Sequence, residues 1–253
     1  TRAQGGKSTQ VDTVKNLETA RLELLRDIRE VKDAEYRRWL VQQVVKYMPS
    51  IAKGGYHPIA RYNAMLTIAN LNAREAASVG SNRQPPEPLS AALPILQEAL
   101  ASDTQIDAVR VAAMVGILRH VTLDPFRSEP FGDDDKQQFV NDILPIVQAS
   151  EPPNPRDPGV HYWLRRRGIE ILASLQASDE GGKIADALGT IVTDEKVRPS
   201  LRIAASNAIG QTQHLPASFA GKPTGLAVSI SKLAAEASRK TIEQLDEIAL
   251  AAE

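Results

Sequence analysis

One pattern constrains this chain more than any other: an arginine at the front of a small, apolar run, met four times. In "DAVRVAAMVGIL", Asp107 to Leu118, Arg110 is followed three residues later by Ala113 and seven later by Ile117. Arg61 has Ala64 and Ile68 at those offsets, Arg165 has Gly168 and Leu172, and Arg202 has Ala205 and Ile209. The residues just before the arginines are Ala60, Val109, Leu164 and Leu201. Offsets of three and seven fall on one stripe of an α-helix, so each copy predicts a helix with a small residue where a neighbour comes close and an apolar residue continuing the buried face.

The segments upstream of two copies match as well, "LPIL" at Leu93 to Leu96 and "LPIV" at Leu144 to Val147, so the repeating unit is a helix pair. The prolines of these segments lie 51 apart (145 minus 94) and the arginines 55 apart (165 minus 110), which places a surplus of four in the loop "EPPNPRDPG". Pro58, Pro158 and Pro199 stand where a second helix would begin, a position that tolerates proline. A single pair has too little core to stand alone, and pairs stacked side by side bury a continuous one. The predicted fold is all-α: an α-solenoid of about four helix pairs. Arginine spacings of 49, 55 and 37 make the period irregular, with loops at Asn72–Pro88 and Asp124–Lys136 taking up the difference.

Capping helices flank the repeats. Residues 1–10 are polar and predicted to be a flexible terminus, followed by a single domain over 11–253: an amphipathic helix over 11–33, in which Arg26 and Glu30 are spaced as a pair, repeats over about 34–215, and a helix over about 222–252. The first repeat opens with a helix over Ala34–Met48, ended by Pro49. The closing helix carries Leu226, Ile230, Leu233, Ala237, Leu245 and Ile248 as its stripe, with Glu236 and Lys240 on the polar side. Composition agrees: aromatics make up 4% of the 253 residues, which suits helices packed through small side chains better than strands.

The four copies resemble the second helix of HEAT repeats, and of the HEAT-like repeats first noted in phycobilisome lyases. The resemblance covers about residues 35–215. It implies that Arg61, Arg110, Arg165 and Arg202 are structural, bonding with aspartates such as Asp107 in a ladder between adjacent repeats. Only the second copy has the aspartate; the others carry Pro58, Tyr162 and Pro199 there. The family acts mostly as scaffolds and adaptors, with a minority binding nucleic acid or serving enzymes.

Motifs with chemical associations fall to simpler readings. "GGKST" at Gly5 to Thr9 lacks the earlier glycine and the strand of a phosphate-binding loop. "GDDDK" at Gly132 to Lys136 does not alternate its ligands as a calcium loop does, and suits a helix N-terminus. His57 and His161 sit four before a repeat arginine, His120 and His214 near the far ends of second helices, and none has metal-site spacing. No cysteine is present, which removes thiolate chemistry. No metal, cofactor or catalytic constellation is therefore expected, and the chain is read as non-enzymatic; a lyase or chaperone-like role has only the subfamily's name behind it.

The sharpest surface candidate is "HYWLRRRGIEIL", where Tyr162, Trp163, Arg166 and Arg167 are residue types that form protein hot spots and phosphate contacts. Arg119 and Arg202 join them as candidates on second helices. The leading expectation is a scaffold holding another protein or peptide on the concave face lined by second helices. The alternative is a nucleic-acid binder using Arg119, Arg166, Arg167, Arg198 and Arg202, against which the formal charge of -1 counts. No apolar run is long enough to span a bilayer, and the compartment stays open between cytoplasm and export after removal of a targeting segment.

Overall fold

A computed structural model describes residues 6–79, 82–153, 155–175, 182–211 and 223–251. The fold is all-α, with ten α-helices among the described residues: α1 (Gly6–Glu30), α2 (Ala34–Lys53), α3 (Pro58–Ala69), α4 (Leu93–Ala101), α5 (Asp107–Thr122), α6 (Asp133–Gln148), α7 (Pro158–Leu175), α8 (Lys183–Thr193), α9 (Pro199–Gln211) and α10 (Pro223–Ala251). The chain divides into two compact units. One comprises Thr1–Gly132 and Glu151–Arg167, the other Asp133–Ser150 and Gly168–Glu253.

In the first unit α2 packs on α3, α3 on α5 and α4 on α5, with α1 laid over α2 and α3. In the second, α8 packs on α9, and α10 touches both. The sequence pattern explains the packing. The small residues three after each arginine, Ala64, Ala113, Gly168 and Ala205, are all buried, as are Ile68, Ile117, Leu172 and Ile209 seven after. At Gly168 the reason for a missing side chain is direct: an added Cβ would lie 2.7 Å from a Val147 methyl on α6.

Three second helices begin at the expected prolines, Pro58, Pro158 and Pro199. The surplus residues fall between the paired helices as expected, nine residues (149–157) against five (102–106). The aspartates of "GDDDK" open α6, where the helix dipole favours them. Some local expectations differ. Helix α2 runs a turn past Pro49 to Lys53, because a proline there removes one intrahelical bond while the last turn is held from outside, as described below. Arg26 turns to its neighbour Asp27 (3.1 Å) on the exposed side of α1 in preference to Glu30. Glu236 and Lys240 do pair, at 3.1 Å. The side chains of Leu245 and Ile248, His214 and residues 1–5 lie outside the described ones.

The segment expected to be a loop at Asn72–Pro88 is instead a small nested pair of antiparallel ladders. Its outer pair joins β1 (Asn72–Arg74) to β4 (Glu87–Pro88), and its inner pair joins β2 (Ala77–Val79) to β3 (Asn82–Gln84). Polar side chains fix it to its surroundings. Glu75 accepts from Arg37 of α2 at 3.0 Å, Asn72 accepts from Arg119 of α5, and Glu87 accepts from Ser128 at 2.7 Å. The Ser128 hydroxyl holds the Glu87 carboxyl below its usual range.

Candidate functional site

The repeat arginines answer first, because three of them share one bond. Nε of Arg61 donates to the carbonyl of Ala52 (3.0 Å), that of Arg110 to Leu100 (2.9 Å) and that of Arg202 to Val192 (2.9 Å). Each acceptor is the last residue but one of the preceding helix, α2, α4 and α8 respectively. Helix C-termini leave carbonyls without intrahelical donors and carry partial negative charge, so a guanidinium is the fitting clamp. Arg61, Arg110 and Arg202 are each the fourth residue of their helix, which puts the side chain at the height of its partner's end. Arg165 is also buried, on a helix that begins one turn further ahead of it.

Asp107 bonds outside its own helix pair, but to Arg156 and not to one of the repeat arginines. Its carboxylate accepts from Arg156 at 2.6 Å and from the backbone N–H of Asp157 at 3.2 Å, both in the segment before α7. Arg156 also donates to the carbonyls of Gln105 (3.0 Å) and Asp103 (2.8 Å), and Arg61 donates to the side chain of Gln105. The turn between α4 and α5 is thus gripped by Arg61 from α3 and by Arg156 ahead of α7. Burial, and the positive charge of Arg156, hold the Arg110 pKa below the ordinary arginine value.

The binding candidates separate. Arg202 is 7% exposed and committed to Val192, which makes it part of the frame. Arg119, partly buried, donates to Asn72 and points at the carbonyls of Ala69 and Leu71, where α3 ends. Neither presents its guanidinium as a phosphate contact. On α7, Trp163 and Tyr162 are half-buried, Arg167 lies over the Trp163 ring at 5.2 Å from its centroid, and Arg166 is exposed. These four residues are brought together on the first half of α7. His57 serves as the N-cap of α3, accepting from the N–H of Ile59. Among the described residues no group of histidines and carboxylates could hold a metal ion, and no helix is long and apolar enough to cross a membrane.

A surface the sequence reading missed lies on α2. Tyr36, Trp39, Tyr47 and, just beyond the helix, Tyr56 are each at least half exposed, and together they are four of the eight large hydrophobic side chains exposed among the described residues. Tyr36 and Trp39 stack with centroids 5.7 Å apart, and the Lys46 ammonium sits over the Tyr47 ring. On the other flank of α2 a groove of about 630 Å³ opens toward the ladder segment. Val41, Val45, Leu89 and Ala91 give it an apolar lining, and Arg37, Arg38 and Lys46 bring positive charge. The signal was present as "YRRW" and "KY", spaced so that the aromatics share a helix face apart from the core positions Val41 and Val44.

No known protein family, curated protein or solved structure matches the chain.

Proposed function

We propose that this chain is a HEAT-like helical-repeat scaffold that works by holding another protein, without catalytic chemistry of its own. The observation that carries the reading is the shared arginine bond: three helix pairs close by the same donor onto the same position of the preceding helix. A module that closes itself in this way and stacks on its neighbour through small residues is the building principle of a solenoid. Function in such a chain resides on its surface side chains. On the second helices the candidates are half-buried Trp163, Arg167 over its ring and exposed Arg166, an aromatic and guanidinium group of the kind that anchors protein partners.

The nucleic-acid reading is weaker, since Arg119 and Arg202 are committed to internal carbonyls and amides. The test is capture of partners from lysate of the source, with and without nuclease, by wild-type chain and by Trp163→Ala/Arg166→Ala. A discrete protein retained after nuclease treatment and lost with the double variant supports the scaffold reading. Loss of all bound material on nuclease treatment would replace it with nucleic-acid binding.

A further inference from the structure

We propose that the groove between α2 and the ladder segment binds a short acidic peptide segment of a partner protein, anchored by aliphatic side chains. This deepens the scaffold reading and rests on it only in taking the chain to act by holding a protein. The lining joins an apolar base to three cations, and none of its residues is a carboxylate. Arg38, Gln42 and Lys46 recur every four residues and form one rim along α2, while Ala34, Val41 and Val45 line the base. Arg37 is paired with Glu75, and its Nε is buried without a hydrogen-bond acceptor among the described residues. Arg38 is exposed with no partner among the described residues, and Lys46 is exposed with only the Tyr47 ring. From Ala34 to Lys46 the groove follows α2 for about 18 Å at ~1.5 Å per residue, room for three turns of helix or about six extended residues.

The chemistry selects the occupant. The charges of Arg38 and Lys46 beside an aliphatic base are complementary to Asp and Glu flanking Leu, Ile or Met, and both halves of the match contribute: apolar burial for affinity, charge for orientation and on-rate. A single strand of nucleic acid would want open aromatic faces, whereas the groove lining holds no aromatic residue and Tyr36 and Trp39 on the far flank stack on each other. A membrane surface would want a convex apolar face; here the apolar residues line a recess behind a polar rim. The stacked aromatics continue the surface beyond that rim, where a longer partner would find hot-spot side chains.

The experiment selects random 12-residue peptides displayed on phage against the full chain, then measures individual peptides by fluorescence polarisation. The variants are Arg38→Glu/Lys46→Glu, Ala91→Glu and Trp163→Ala/Arg166→Ala. All three groove positions are exposed, so matching circular-dichroism melts are expected and establish that the variants are folded. The expected result is enrichment of Asp and Glu beside Leu, Ile or Met, with affinity falling at least about tenfold on charge reversal at Arg38 and Lys46 or on Ala91→Glu, and unchanged by the α7 variant. Failure to enrich acidic peptides, or equal affinity for the charge-reversed chain, overturns the proposal. So does tighter binding, through Arg38 and Lys46, of a 12-nucleotide oligothymidylate or of phosphatidylcholine vesicles containing phosphatidylserine. Peptides that respond only to the α7 variant would dispose of the groove and leave the scaffold reading standing.

Discussion

The pairs α4–α5 and α8–α9 make the same bond and are otherwise built differently. Both close with an arginine at the fourth position of the second helix donating to the penultimate carbonyl of the first. Around Arg110 there is then a further layer: Asp107 at the head of α5, Arg156 reaching it from the following inter-helix segment, and Gln105 held by Arg61. Helix α9 begins with Pro199 where α5 has Asp107, and Arg202 is the more deeply buried arginine. The comparison separates two functions that the resemblance to HEAT repeats joins in one ladder. The arginine closes a pair; the aspartate ties one pair to the next element, and only where a second arginine answers it.

The largest effect should come from a position where α5 departs from its sister helices. Ten residues after the repeat arginine, α5 has His120, while Leu71 and Leu175 occupy that offset in the first and third copies, all three buried. Arg127 donates toward Nδ1 of His120 at 3.5 Å, so the ring hydrogen is on Nε2, which has no partner among the described residues. Burial first, then the charges of Arg127 and Arg119, lower the His120 pKa to about 3. The unfolded chain takes up this proton near pH 6.5 and the folded one only near 3, so stability is complete above about pH 6.5 and declines as pH falls toward 3. The expected loss is on the order of 5 kcal/mol across that window. His120→Leu, which installs the residue of the first and third copies, should flatten this limb in urea unfolding measured from pH 7 to pH 4. An unchanged pH slope would show that the imidazole is not its source.

Truncating the arginines ranks next. Arg202→Ala leaves the Val192 carbonyl without its donor in a buried setting and should lower stability by roughly 2–4 kcal/mol, against roughly 1–2 for the partly buried Arg110. Equal losses in chemical denaturation would contradict the difference drawn between the pairs. Gly116 supplies a third contrast. Six after its arginine, α9 accommodates Ala208, whereas a Cβ on Gly116 would sit 2.8 Å from Cβ of Ala69 and 2.6 Å from a Leu96 methyl. Gly116→Ala should therefore cost about 1–3 kcal/mol through overpacking, less the fraction that helix propensity returns, and a raised melting temperature would refute the tight approach of α3 to α5. The smallest change is Asp107→Asn, which weakens a partly exposed pair with Arg156 by about 1 kcal/mol. Its loss should diminish in high salt, and an effect independent of salt would point to the backbone N–H of Asp157 as the important donor.

The helix pairs were legible because their signal is short-range and repeated: a small residue at one offset and an apolar one at another decide a buried face wherever they occur. The arginine was legible as structural, but its acceptor was not, since a backbone carbonyl nine or ten residues earlier has no side-chain identity to read. The partnership of Asp107 with Arg156 was hidden for a related reason, the two lying 49 residues apart with nothing local to link them. The ladders at Asn72–Pro88 carry a Gly80-Ser81 turn pair but no alternation beside it, and are held by Arg37, Arg119 and Ser128 from elsewhere in the chain. On the candidate surfaces, the α7 cluster was put forward from residue type alone. The α2 groove was missed because its second wall, Asn72, Ala73, Leu89 and Ala91, comes from the ladder segment and the residues just after it.

Amide hydrogen exchange on Arg110→Ala and Arg202→Ala, read at the last turn of the preceding helix, tests the clamp most directly. The N–H of Ser102 bonds to the carbonyl of Glu98 at the end of α4, and that of Asp194 to the carbonyl of Thr190 at the end of α8. Under conditions where local opening governs exchange, protection of Ser102 should fall in Arg110→Ala while that of Asp194 holds, and the reverse should occur in Arg202→Ala. If both amides keep their protection in both variants while global stability drops, the arginines stabilise the chain by packing alone and the clamp does not exist.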